Sequence, residues 1–297
     1  MIIWIASYPK SGNTLLRGIL GTYFFSEDGQ FDFKYIYRIG QFPTLENFKK
    51  FDIDNSNDKF FFKSYNLVQK KINQEDNRIK FFKTHSAFFQ KKDCAFSNPD
   101  NTLGAIYIVR DPRNVVTSYS HHYSVHIDEA AERICNKDLF LSASEAHPET
   151  FISSWRLNYL SWTSLGKSVL FIKYEDLINN KKKTVLKIFK FFETLGMRQK
   201  SFDIAKINKV IKTTEFGKMK KLENKNEFRE AVTDNITKKK KPFFNLGPKN
   251  NWQNLLDEKN RKKIEKAFEK EMLDFIKDEI YNEFVSQILT EVNLIEV

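Results

Sequence analysis

The sequence predicts an α/β protein in which a central parallel sheet, flanked by helices, carries a P-loop-like phosphate-binding strand-to-helix corner. Three observations support this. The run Ile2-Ile3-Trp4-Ile5-Ala6 is apolar without a break and rich in β-branched residues, the pattern of a strand buried on both faces at the middle of a parallel sheet. Comparable runs at 79–84, 105–109 and 168–173 alternate with helical periodicity near 112–123 and 149–165, as expected of a sheet covered by helices. Between the first strand and the first helix lies a short turn containing Pro9 and Gly12, the layout of a phosphate-binding corner.

The elements follow in chain order. Ser7-Tyr8-Pro9 ends the first strand, and beyond Gly12 the spacing of Leu15, Leu16, Ile19, Leu20 and Tyr23 is that of a helix. Residues 25–74 are Phe-rich with little clear period and are expected to form irregular or short helical structure packed across the sheet. Asp111 is a helix N-cap and Pro112 the first helical position, while Gly196 closes a helix running from about Lys182 through Phe191 and Phe192. Residues 220–252 carry many charges and contain Pro242, Gly247 and Pro248. A loop this long in a compact domain is expected to act as a mobile lid. No repeat or linker divides the chain, so all of 1–297 is expected to form one domain.

The net charge of +11 favours anionic ligands without choosing among small molecules, acidic polymers and membrane surfaces. The lysine runs 181–183 and 238–241 are read as solvated surface in a Lys-rich chain. Cys94 and Cys135 are the only cysteines and share no metal-type spacing, which argues against a disulfide framework or a zinc site and fits a reducing cytoplasm. The first apolar run is too short for a signal-peptide core or a membrane span. No motif interleaves aromatic and basic residues in the manner of RNA-binding domains, so no specific nucleic-acid partner is expected.

In Tyr8-Pro9-Lys10-Ser11-Gly12-Asn13-Thr14, Gly12 and Thr14 stand where an ATP-binding P-loop has its second glycine and its hydroxyl residue, but Asn13 replaces the usual lysine. The cation, Lys10, lies three residues earlier, while the backbone N–H groups of Ser11 to Thr14 open a helix and can cradle an anion. No apolar strand ends in an obvious Mg²⁺-holding Asp, which argues against a metal-dependent nucleotide hydrolase or kinase. A second anion site is expected where the strand at 105–109 meets Arg110: Ser118, two turns into the next helix, can converge with Arg110 on one phosphate beside that corner. Between these motifs, Phe81-Phe82-Lys83-Thr84-His85 places Lys83 and His85 at the carboxyl end of another strand, the edge where open α/β sheets bind ligands.

These motifs resemble those of the sulfotransferases that use 3′-phosphoadenosine-5′-phosphosulfate (PAPS). The first is similar to the family's Tyr-Pro-Lys-Ser-Gly-Thr-Thr-Trp loop for the 5′-phosphosulfate, with Asn13 for the first Thr and Leu15 for the Trp. The segment 106–119 resembles the 3′-phosphate motif, and Lys83-Thr84-His85 resembles the segment that supplies the base. Lys173-Tyr174-Glu175-Asp176 resembles a strand-end segment whose Tyr contacts adenine, and Thr214, Phe216 and Met219 resemble the Thr-x-Phe-x-x-Met segment flanking the base. In 245–252, Gly247 and Trp252 keep the places of the family's Arg-Lys-Gly-x-x-Gly-Asp-Trp-Lys, but Asn245 replaces the Arg and Asn250 the second Gly.

The resemblance implies a donor PAPS and product PAP (3′,5′-bisphosphoadenosine), with no metal. It implies donor contacts from Lys10, Ser11, Gly12, Asn13, Thr14, Arg110, Ser118, Tyr174, Thr214, Phe216 and Gly247, and catalytic roles for Lys10, Lys83 and His85. His85 would take the proton of a hydroxyl or amine on a small-molecule or glycan acceptor that the sequence does not identify. His121, His122, His126 and His147 are expected to be structural, although the first two follow the 3′-phosphate helix and could line the acceptor pocket. The competing readings are a P-loop-type kinase or nucleotide hydrolase and a basic, non-enzymatic binder of acidic polymers.

Overall fold

The computed structural model describes residues 1–53, 61–91, 94–197, 202–225, 228–232 and 240–276. Five parallel strands form the central sheet: β1 (Ile2–Ser7), β2 (Gly40–Gln41), β3 (Lys80–Thr84), β4 (Thr102–Val109) and β5 (Val169–Lys173), in the order β2-β3-β1-β4-β5. The uninterrupted hydrophobicity of β1 has a direct cause. Ile2, Trp4 and Ala6 point into one core and Ile3 and Ile5 into the other, and all five are fully buried. In β4, Ala105, Tyr107 and Val109 alternate in the same way with Ile106 and Ile108. Trp4 fills the first core against Phe42, Phe82 and Phe96, and its indole N–H donates to Thr102 Oγ1 at 2.9 Å, so its one polar atom is satisfied.

The helix α1 (Asn13–Phe25) follows β1, and from Asn13 to Tyr23 every residue is buried. The Phe-rich stretch after it is more regular than its composition suggests. It contributes edge strand β2 and a 14-residue helix, α2 (Phe61–Gln74), whose buried Phe61, Tyr65, Val68 and Ile72 recur at helical spacing. Runs of consecutive Phe hide that period, because adjacent aromatics suit neither a helical stripe nor strand alternation. The helix α3 (Pro112–Tyr123) begins as expected, with the Asp111 side chain accepting the Arg113 N–H.

The stretch 149–165 departs from the expected single helix. Thr150–Phe151 pairs with Phe140–Leu141 in a two-stranded ribbon, Trp155–Ser161 is an α-helix capped by Ser154, and Trp162–Ser168 is a 3₁₀ segment. The serine cap overrides the apolar period there. The helix α4 (Lys181–Thr194) ends at Gly196, whose φ of 79° reverses the chain while Met197 N–H reaches back to the Phe192 carbonyl.

Parallel pairing places the carboxyl ends of four strands side by side. Ala6 is in register with Thr84, Ser7 with Ile108, and Val109 with Lys173. The next residues along each chain are the Lys10 loop, His85, Arg110 and Tyr174. The sheet thus collects four sequence motifs on one edge, at the strand where the order reverses, which is where open α/β sheets bind ligands.

Candidate active site

A cavity of about 930 Å³ opens at this edge, lined among others by Lys10, Gly12, Asn13, Thr14, Lys83, His85, Arg110, Ser118, Tyr174, Phe216 and Gly247. The loop that enters α1 is bent by two left-handed residues, Lys10 (φ 67°) and Gly12 (φ 103°). Such turns aim successive backbone N–H groups into an anion-binding concavity. No side chain caps α1 at Gly12, and Leu15 N–H turns back to the Gly12 carbonyl at 3.1 Å, which leaves the Asn13 and Thr14 N–H groups to a ligand. Glycine is also required by space, since a Cβ at position 12 would lie 2.4 Å from the Tyr174 ring. Gly247 (φ 54°) does the same for the Phe216 ring, which a Cβ would approach to 2.1 Å. Each glycine thereby seats an aromatic ring in the cavity wall.

Arg110 is buried beside this loop. Its Nη1 donates to the Lys10 carbonyl at 3.0 Å, its guanidinium lies 4.4 Å from the centre of the Tyr174 ring, and its Nε has no partner among the described residues. Ser11 Oγ is likewise buried without a partner. Unpaired buried polar atoms are costly; Arg110 lines the cavity, whereas Ser11, expected to contact the donor, is fully buried and does not line it.

The cations are held in an unusual state. Lys10 Nζ sits 4.3 Å from the centre of the Phe243 ring, and burial, reinforced by Lys83 and Arg110, lowers its pKa to about 7. Burial, assisted by the charge of Arg17, lowers Lys83 to about 8. An anion in the cavity would favour the charged form of both. His85 is shifted well below its usual value by burial and by Lys83, so the ring is neutral near pH 7. Its Nδ1 lies 2.7 Å from the Ser7 carbonyl oxygen, which can only accept, so Nδ1 carries the proton. Nε2 is left with a free lone pair, as a proton acceptor requires.

Not every expected residue reaches the cavity. Thr214 is fully buried and gives its hydroxyl proton to the Val210 carbonyl at 2.7 Å, one turn back in its own helix. Asn13 lines the cavity but turns its amide inward, donating to the Ile5 carbonyl at 2.9 Å and Ser7 Oγ at 3.2 Å. His121 and His122, which the sequence allowed to line a pocket, do line the cavity, and so does His147, expected to be structural; burial pushes His122 down to about 3.

Two residues outside the sequence reading enter the site. Arg17, almost fully buried on α1, donates to Asn13, Thr14 and Glu230, and Glu230 lines the cavity. A charged residue within the apolar face of α1 was the available signal, since a buried Arg requires a partner.

Of the expected lid, residues 226–227 and 233–239 lie outside the described residues, and with them the first half of the lysine run 238–241. The remainder is tied down at both sides. Phe243 and Phe244 N–H donate to the Glu223 carboxylate at 2.6 and 3.0 Å. Asn250 accepts from Thr117 at 3.0 Å and donates to the Asn114 carbonyl at 2.9 Å, while Arg113 stacks on Trp252 at 4.0 Å. Asn250, where the resembling motif has a glycine, is thus an anchor to α3. Among the described residues no helix is long and apolar enough to cross a membrane.

A strand-to-helix corner with uncapped backbone N–H groups, a buried arginine after the neighbouring β4 and a neutral histidine after β3 thus share one cavity, the kind of constellation that marks an active site. Comparison with known proteins names the class: residues 2–276 match the family model described as sulfotransferase domain, and the chain belongs to the sulfotransferase family. It is similar to human sulfotransferase 1E1, at 26% identity over 279 residues, covering 90% of this chain and 82% of that protein. Its fold resembles mouse sulfotransferase SULT7A1 complexed with PAP, with a TM-score of 0.58, 18% identity, and 98% and 88% of the two chains covered. It also resembles retinol dehydratase in a complex with retinol and PAP, with a TM-score of 0.56, 17% identity, and 90% and 80% covered.

Proposed function

We propose that this enzyme moves a sulfuryl group from PAPS to a hydroxyl or amine of a small-molecule acceptor, with His85 as general base. The observation that carries this reading is that the Lys10 loop after β1 and Arg110 after the neighbouring β4 open on one cavity, with His85 reaching it from β3 on the other side of β1. The loop at Lys10 to Thr14 suits the 5′-phosphosulfate, and Arg110 with Ser118 suits a 3′-phosphate. The fit is supported by the uncapped first turn of α1 and by the unpartnered Arg110 Nε. Tyr174 and Phe216, seated by their glycines, offer flat apolar surface for a base.

The chemistry asked of the protein is modest. By analogy with phosphoryl transfer, negative charge collects on the bridging and equatorial oxygens of a loose, in-line transition state. Lys10 and the loop N–H groups stabilise the departing phosphate oxygen, Lys83 faces the transferring group, and His85 Nε2 accepts the acceptor's proton. The donor's negative charge raises the pKa of His85 toward the range where a base is effective.

PAP binding tested beside ATP, with and without Mg²⁺, separates this reading from a nucleotide hydrolase or kinase. PAP is expected to bind without metal and with an affinity that Mg²⁺ does not improve, while ATP binds weakly. Tighter binding of Mg²⁺-ATP than of PAP would overturn the proposal.

A further inference from the structure

A continuous chain of side chains runs from the cavity wall to the histidine. Glu230 Oε1 accepts from Arg17 Nη2 at 2.5 Å, and Glu230 Oε2 accepts from Thr14 Oγ1 at 3.1 Å. Arg17 Nε donates to Asn13 Oδ1 at 3.1 Å, and Arg17 Nη2 also reaches Thr14 Oγ1 at 3.3 Å. Asn13 Nδ2 donates to Ser7 Oγ and to the Ile5 carbonyl, which secures the carboxyl end of β1. His85 Nδ1 then donates to the Ser7 carbonyl at 2.7 Å, with Ser7 Oγ 3.3 Å away.

We propose that Arg17 and Glu230 are a positioning pair that fixes the phosphate loop and the histidine as one unit, through Asn13 and Ser7. The inference rests on the reading of His85 as the base. Three features of the arrangement support it. Glu230 is the one carboxylate among the described residues lining the cavity, and its oxygens are engaged by Arg17 and Thr14. Burial works against its ionisation, yet Lys83 and Arg17 outweigh that cost and hold its carboxyl well below the usual range. Asn13 and Arg17 stand four residues apart on α1, one turn of one face, so the residue that departs from the resembling loop is the one that connects Arg17 to β1.

The pairing also defines what is held. Thr14 Oγ1 both accepts from Arg17 and donates to Glu230, so its rotamer is set before any donor arrives, and a buried fork of this kind loses little further freedom when it acts. The Ser7 carbonyl keeps the His85 proton on Nδ1 only while the end of β1 stays where Asn13 holds it. A loosened Ser7 admits the other tautomer, in which Nε2 carries the proton and cannot act as a base.

The test uses the full chain, ¹⁵N-labelled at histidine, with PAP as the ligand and His85→Gln to assign the ring. Wild type is expected to show a single Nδ1–H tautomer near pH 7. The apolar pair Arg17→Met with Glu230→Leu avoids a stranded buried charge, and Glu230→Gln serves as a milder second variant. In folded variants, shown by thermal unfolding, the Nε2–H tautomer is expected to appear and PAP binding to weaken severalfold. Arg17→Lys, which restores charge but not the fork, is expected to fail to rescue the tautomer. A folded variant with an unchanged tautomer and unchanged PAP affinity overturns the proposal, as does full rescue by Arg17→Lys, which would assign the effect to charge. Failure of wild type to bind PAP at all would instead count against the donor reading on which the proposal stands.

Discussion

At the scale of the residue, His85, Lys10 and Lys83 are set by burial rather than by unusual chemistry. His85→Ala is expected to keep nearly normal PAP affinity, because the phosphates are assigned to the Lys10 loop and Arg110, and to lower turnover by about 10² to 10⁴, the contribution of a positioned base. Near-normal turnover with an identified acceptor would return His85 to a structural role. The lysines give a pH prediction with a definite sign. Lys10, near 7, and Lys83, near 8, are partly deprotonated in the free enzyme above those values, and an anionic ligand restores their protons. PAP binding is therefore expected to take up protons between about pH 7 and 9 and to weaken as pH rises through that range. Calorimetry in buffers of different ionisation enthalpy reads this uptake directly, and a proton count of zero would contradict it.

The motifs at this scale were legible because each changes residue type abruptly at the end of an apolar strand: Lys10 after β1, Lys83 and His85 on and after β3, Arg110 after β4. Arg17 and Glu230 were not, because their meaning lies in a contact across 213 positions of sequence. Thr214 shows the opposite case. It fits a sequence pattern, yet its hydroxyl proton is spent on the carbonyl of its own helix, as Ser and Thr commonly do.

At the scale of the element, β1 and the segment 240–252 carry separate predictions. Trp4 fills the first core and satisfies its N–H within it, so Trp4→Ala is expected to destabilise the fold by about 3 to 5 kcal/mol, the cost of such a truncation in a core. Denaturant unfolding measures this, and a loss below about 1 kcal/mol would mean that the site refills. For the second element, we propose that the segment 240–252 closes over the donor. Its anchors on α3 and on Glu223 are expected to be protected from proteolysis when PAP is added. A cleavage pattern unchanged by saturating PAP would contradict closure. The strands β1, β3, β4 and β5 and the helix α1 were predictable from their apolar period; the two-residue β2 is too short to show one, and α2 and the broken segment 149–165 were obscured by consecutive aromatics and by a serine cap.

At the scale of the whole molecule, a five-stranded parallel sheet brings four distant segments to one edge, and the account stands on the claim that this edge reads two phosphates at once. Parallel titration of wild type and Arg110→Ala with PAP and AMP tests that claim most directly, since AMP keeps the 5′-phosphate and lacks the 3′-phosphate. Arg110 also holds the Lys10 carbonyl, so AMP serves as the control for loop damage. Wild type is expected to prefer PAP at least about tenfold, in keeping with the roughly 1.5 to 3 kcal/mol of a charge-assisted contact. Arg110→Ala is expected to lose most of that preference while AMP binding changes little. Equal affinities of wild type for PAP and AMP, or an equal loss of both in the variant, would contradict the account.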